Sequence, residues 1–328
     1  MSKLEELADI KHDTWQRVMR EQYIRLSTAK SIADVLTEKN LLCLLHPTML
    51  ANLAADYGPA SLTSGLPDWE PLQPLSGCET ASNGLCYFVW KLKHRLEDER
   101  FARAKRYDLS RLPTKEQNRL KDYLARHGNV CNRLPGPPRF PQHVTTVPDP
   151  QRDAYWVVDE WTPGRVLLDL LYKRELPAEK IPRMMWELAE GLKALHDVRI
   201  IRRELSPKFI VLQNPDGAVL LTDFELGKLL DEAPTVRGEF PYDPYRAPEA
   251  GGGPLQFADR HVDFYSWGRI LVHAASGQLP PAGEDERVLE KVKLPPKVRE
   301  LVLRCVSLDA AKRPPCAEEV LKALRGWK

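Results

Sequence analysis

Long apolar runs are missing from this sequence: none approaches the ~20 residues that a membrane helix requires. The opening MSKLEELADIKHD is charged and has no h-region, so it does not read as a secretory signal, and a cytoplasmic protein is expected. An excess of charge of one sign is missing as well. The 48 Lys and Arg nearly balance the 46 Asp and Glu, leaving a net charge of +2, which gives no electrostatic reason to expect a nucleic acid or a membrane as partner. Cysteine is sparse. Cys43, Cys78, Cys86, Cys131, Cys305 and Cys316 contain no Cys-x-x-Cys spacing, which argues against both a zinc site and a disulfide framework and leaves them as small core or surface residues.

What is present suits one large domain of two lobes, or two domains, with ample core: 328 residues, 43% hydrophobic and 29% charged. Prolines number 28 and cluster at 135–141, 148–150, 241–248 and 280–296, marking loops. Residues 1–57 predict helices, with Trp15, Val18, Met19, Tyr23 and Leu26 at helical spacing. From 58 to 74 the chain is rich in Gly, Pro and Ser and reads as a linker. Residues 85–90 and 100–106 predict strands joined through the charged stretch 91–99, followed by a helix over 114–126 and a last strand over 154–158. Beyond 160 helices dominate, with amphipathic spacing at 166–172 and 178–196.

The most informative stretch is 195–228, LHDVRIIRRELSPKFIVLQNPDGAVLLTDFELGK. A helix ends near His196, and 200–201, 209–212 and 219–221 are short apolar runs of strand type. Asn214-Pro215-Asp216-Gly217 is a strong turn signal. Arg202-Arg203-Glu204 sits in the loop, and Asp223-Phe224-Glu225 closes the stretch. Tyr245-Arg246-Ala247-Pro248-Glu249, Asp263-Phe264-Tyr265-Ser266-Trp267-Gly268 and Arg313-Pro314 follow. In this order the chain resembles the protein kinase family, whose catalytic loop carries His-Arg-Asp with an Asn five residues on, and whose later signatures are Asp-Phe-Gly and Ala-Pro-Glu. The resemblance covers about residues 75–328.

It implies an α+β, two-lobed protein-kinase-like fold: a small β-rich N-lobe at 75–160 and a large helical C-lobe at 161–328, with 1–57 as a helical N-terminal extension. It also implies roles, residue by residue. Arg202 stands where the family has His, Arg203 matches its Arg, and Glu204 replaces the catalytic Asp. Ser206 replaces a common Lys, and Phe209 replaces the metal-binding Asn. Asp223 and Phe224 match the metal-binding Asp and its Phe, while Glu225 replaces the Gly. In the small lobe Lys105 matches the phosphate-pairing Lys. Glu116 is the only glutamate available as its helix partner, a turn early, and Asn118 lies nearer the expected place. Gly77 and Gly84 remain of the phosphate-covering loop, whose middle glycine is missing. Glu160 and Thr162 fall at the hinge, where backbone groups would meet an adenine. Glu249, Asp263 and Arg313 are structural: Glu249 and Arg313 should form a largely buried ion pair, and Asp263 should accept from the backbone around Arg202 and Arg203. Arg203 is expected to meet a carboxylate or nothing, with Glu239 available for that charge and Thr235 the only activation-segment hydroxyl besides Tyr242 and Tyr245.

Each departure has a chemical consequence. Phe209 offers a metal no oxygen. Glu204 is one methylene longer than Asp, and a misplacement of about 1 Å costs about 100-fold in rate. The sequence therefore favours a pseudokinase that acts through a protein partner, with ATP and Mg²⁺ as the ligands the resemblance implies. The alternative is an active atypical Ser/Thr kinase using Glu204 as base and Asp223 as magnesium ligand. A third reading, transfer to a small molecule, would suit Ser206. The Glu204 and Ser206-Pro207 variants also resemble divergent bacterial kinase-like domains that are modules of larger proteins.

Overall fold

The computed structural model describes residues 65–76, 79–80, 86–109, 114–149, 154–225, 228–229, 243–250 and 259–327. The expected extension at 1–57 lies outside these residues, as do Gly77, Gly84, Thr235, Glu239 and Tyr242. Two compact units divide the described chain: residues up to Gln117 together with Val144–Trp161, and Asn118–His143 together with Thr162 onward. The expected boundary at 160/161 thus has an exception, because residues 118–143 belong with the helical unit.

The first unit is an antiparallel sheet. Its strands are β1 (Trp69–Pro74), β2 (Glu79–Thr80), β3 (Cys86–His94) and β4 (Phe101–Asp108), then β5 (His143–Asp149) and β6 (Ala154–Glu160). They run in the order β1-β3-β4-β6-β5, with β2 also paired to β3. Two expectations are corrected here. The supposed linker at 58–74 ends in a strand, because Trp69–Pro74 pairs with residues 90–94 of β3. Its prolines hid it, yet β1 is an edge strand where Pro71 and Pro74 need not donate to a ladder, and the register shifts between Pro71 and Gln73. The charged stretch 91–99 is not all connection either, since β3 continues to His94. Lys91 reaches over the rings of Phe101 and Trp161, 4.4 and 4.6 Å from their centroids, so a charged residue belongs in the strand.

Alternation sorts the sheet into two faces. Trp90, Leu92, Ala102, Ala104, Trp156 and Val158 point one way and form a core with Leu66 and Trp69. Arg106 shares that parity and pairs with buried Asp149 at 3.4 Å. Tyr87, Val89, Lys105 and Tyr107 lie on the other face.

The second unit holds most of α1 (Thr114–Cys131), which runs past the expected end at 126, and then β7 (Gly164–Val166), α2 (Leu167–Tyr172) and α3 (Ile181–Asp197). The turn at residues 178–180 that was expected to open α3 is 3₁₀. After α3 come β8 (Ile200–Ile201), β9 (Ile210–Gln213), β10 (Val219–Leu221) and β11 (Lys228–Leu229). The helices α4 (His261–Ser276), α5 (Asp285–Leu289), α6 (Pro296–Cys305) and α7 (Ala317–Ala323) complete it. β10, β9 and β7 form one small antiparallel sheet and β11 with β8 another. α4 is buried continuously from Val262 to His273, as an apolar central helix should be. Gly268 lets α6 approach it, for a Cβ there would stand 2.7 Å from that of Cys305. Among the described residues no helix is long and apolar enough to cross a membrane.

Candidate functional site

The loop after α3 is pinned from below by Asp263. This carboxylate is fully buried and accepts from the backbone N–H of Arg202 (2.9 Å) and of Arg203 (2.8 Å), as expected, and it also meets His196 Nε2 at 2.9 Å. Arg203 takes a left-handed φ of 60°, and the Glu204 N–H closes a tight turn onto the Arg202 carbonyl at 2.7 Å. Asp223 is left-handed too, with φ 65°. Such conformations cost about 1–3 kcal/mol each and persist where their surroundings over-determine them. The backbone of this loop is thus tightly specified.

Arg202 is fully buried. Its guanidinium lies between two rings, 4.8 Å from Phe224 and 5.5 Å from Phe209, and donates to the Thr222 carbonyl at 2.7 Å. Phe224 in turn packs at a tilt beside Phe140 and His127, with ring centroids 6.0 Å away, and its N–H donates to His127 Nδ1 at 3.0 Å. A buried guanidinium needs an electron-rich partner, and the ring of Phe209 supplies one. Arg202 and Phe209 are therefore parts of one arrangement.

Glu204 is buried, with its carboxylate against Arg246 (3.3 Å) and Lys208 (3.7 Å). Burial pushes its carboxyl above the ordinary range, and Lys208, Arg202 and Arg246 pull partly back. Asp223 is also buried, and its Oδ2 accepts from its neighbour Thr222 at 2.6 Å.

In the sheet unit Lys105 is buried. It donates to the Tyr107 hydroxyl at 3.2 Å and lies 4.4 Å over the Tyr87 ring. Tyr87 and Tyr107 face each other in register. Asp159 is buried, and its strand register places it opposite Arg103 of β4. The Glu160 carboxylate is taken by Arg100. The side chain of Glu116 lies outside what is described.

Arg313 and Glu249 form a two-pronged ion pair, with Nη2 to Oε2 at 3.0 Å. The pair is buried on one side only, a correction to the expectation: Arg313 is inaccessible, whereas the Glu249 side chain is 39% exposed.

A model of the family described as "protein kinase domain" matches residues 142–324. The chain belongs to the protein kinase family. It is 31% identical over 195 residues to a serine/threonine-protein kinase of Myxococcus xanthus, 27% over 185 to one of Caenorhabditis elegans and 29% over 207 to one of Saccharomyces cerevisiae. These alignments cover 52, 52 and 58% of the chain but only 23, 34 and 29% of those proteins. Within the helical unit, Asp263 holds the loop through the Arg202 and Arg203 N–H groups, and Arg313 holds Glu249. The sequence did not reveal the clasp of Arg202 by Phe209 and Phe224, the bond from Phe224 to His127, or the tyrosine pair at Lys105. Only the last left a signal, in two tyrosines of the same strand parity as the lysine.

Proposed function

We propose that this chain is a pseudokinase, a kinase-family domain that acts by binding a protein partner, with phosphoryl transfer absent or far below the ~1–100 s⁻¹ of ordinary kinases. Phe209 carries this reading. It stands at the second metal-ligand position and offers no oxygen, and its ring faces the Arg202 guanidinium at 5.5 Å and the Lys208 ammonium at 4.5 Å. Arg246 and Lys208 occupy the Glu204 carboxylate, which leaves that group poorly placed to take a substrate proton.

The residues present fit at most one protein-bound magnesium, through the Asp223 carboxylate, since hard cations take oxygen ligands. Bound ATP and magnesium would supply a transferable phosphoryl group. Lys105 would meet the phosphates as a point charge. One observation favours the second reading, an active atypical Ser/Thr kinase: burial raises the pKa of Glu204, which moves a base toward the pH at which it would act.

A thermal-shift titration with ATP, with and without magnesium, tests the one-metal limit. Ligand at ~100 times its dissociation constant adds about 2.7 kcal/mol. Any magnesium-dependent part of the shift should vanish in Asp223→Ala, or be missing from both proteins. A magnesium-dependent shift that survives in the variant contradicts the assignment.

A further inference from the structure

At the far end of α4 from Asp263, roughly 18 Å along the helix axis at 1.5 Å per residue, the chain forms a groove of about 630 Å³. Ser276, Gln278, Arg287, Lys291 and Lys293 line it with the short side chains of Ala275 and Val288. Its size is that of a ligand site, but its lining is basic and polar. Arg287 is held by Glu284 at 2.7 Å. Lys291 and Lys293 are exposed, and no carboxylate pairs with either among the described residues.

The groove walls are fixed without a ligand. Arg269 and Asp285, both buried, tie the start of α5 to α4. Arg299 holds the turn after α5 through the carbonyls of Leu289 (2.8 Å) and Val292 (2.6 Å). Gly277, left-handed at φ 67°, ends α4, and the Ser276 hydroxyl accepts from the Gln278 N–H at 3.1 Å. A rigid wall lowers the ordering cost of binding. Two uncompensated cations over polar donors complement a negatively charged, hydrogen-bonding occupant.

We infer that this groove docks an acidic peptide segment, rich in Asp or Glu, of a protein partner. The inference names the partner chemistry for the binding role proposed above. It does not depend on the loop at 202–209, so it stands or falls apart from the question of phosphoryl transfer.

The test uses the full chain and fluorescein-labelled hexaglutamate, with hexaglutamine as the uncharged control, read by anisotropy at low and high salt. The parent protein should bind hexaglutamate saturably, ignore hexaglutamine and weaken as salt rises. Lys291→Glu with Lys293→Glu should weaken binding about tenfold or more. Lys322→Glu with Arg325→Glu, an equal charge change at exposed residues of the C-terminal segment, should leave it within about twofold. Unchanged melting temperatures keep the comparison free of folding effects, and Lys291→Ala with Lys293→Ala serves if the reversal unfolds. No binding of hexaglutamate, equal loss in both charge reversals, or no loss in the groove variants overturns the inference. So does binding confined to phosphatidylserine vesicles, which would make the lysines a membrane contact.

Discussion

Arg202 and Phe209 show how two residues of one loop answer each other. The guanidinium is buried between Phe209 and Phe224, and a desolvated cation–π contact is worth about 2 kcal/mol. Phe209→Asn alone should therefore destabilise by about 3 kcal/mol, through lost packing and an exposed side of a buried charge. In an Arg202→His background the same change should cost at least about 1 kcal/mol less. Urea denaturation of the four proteins measures this coupling, and additive costs would show that the pair is unrelated. Glu204 yields a pH prediction. Burial raises its folded pKa above the unfolded value, so its contribution to stability is fully present below the ordinary carboxylate range and is lost as pH rises through the raised value. Relative to the parent, Glu204→Gln should gain stability as pH rises from about 4 to about 8. Urea midpoints across that range decide it; a gap that stays constant or narrows the other way contradicts the assignment. The identities of these residues were legible in the sequence. Their mutual contacts were not, because Arg202, Phe209 and Phe224 meet only once two strands and a turn have folded between them.

At the scale of elements, β1 was hidden and α4 was plain. The string Asp263-Phe264-Tyr265-Ser266-Trp267-Gly268 marked α4 through the family resemblance, whereas a strand carrying Pro71 and Pro74 looks like a linker until its edge position is known. Trp69 is 5% exposed and part of the sheet core, so Trp69→Ala should destabilise by about 3–5 kcal/mol. A linker tryptophan would cost within about 0.5 kcal/mol, and chemical denaturation separates the two. The ion pair between residues 249 and 313 should be asymmetric. Arg313→Ala strips hydrogen bonds from the Ser307 and His261 carbonyls and should cost about 3 kcal/mol or more. Glu249→Gln should cost about 1 kcal/mol, because water reaches that side chain and an amide oxygen still accepts. Equal costs would mean that the glutamate is buried after all.

For the whole molecule, the order of short motifs along the chain was enough to name the family, since each is a contiguous string whose spacing survives local divergence. The small unit was harder to read. Its signals, one lysine and scattered glycines, are common residue types, and the burial of Lys105 beside the Tyr87 and Tyr107 rings exists only in the paired sheet. As a pseudokinase, the proposed role, the protein keeps a kinase-like loop backbone without phosphoryl transfer. Transfer of label from γ-³²P-ATP to generic protein substrates, compared between the parent and Asp223→Ala, tests it most directly. No labelling above that of the Asp223→Ala protein is expected; robust labelling that disappears in the variant would mean an active kinase.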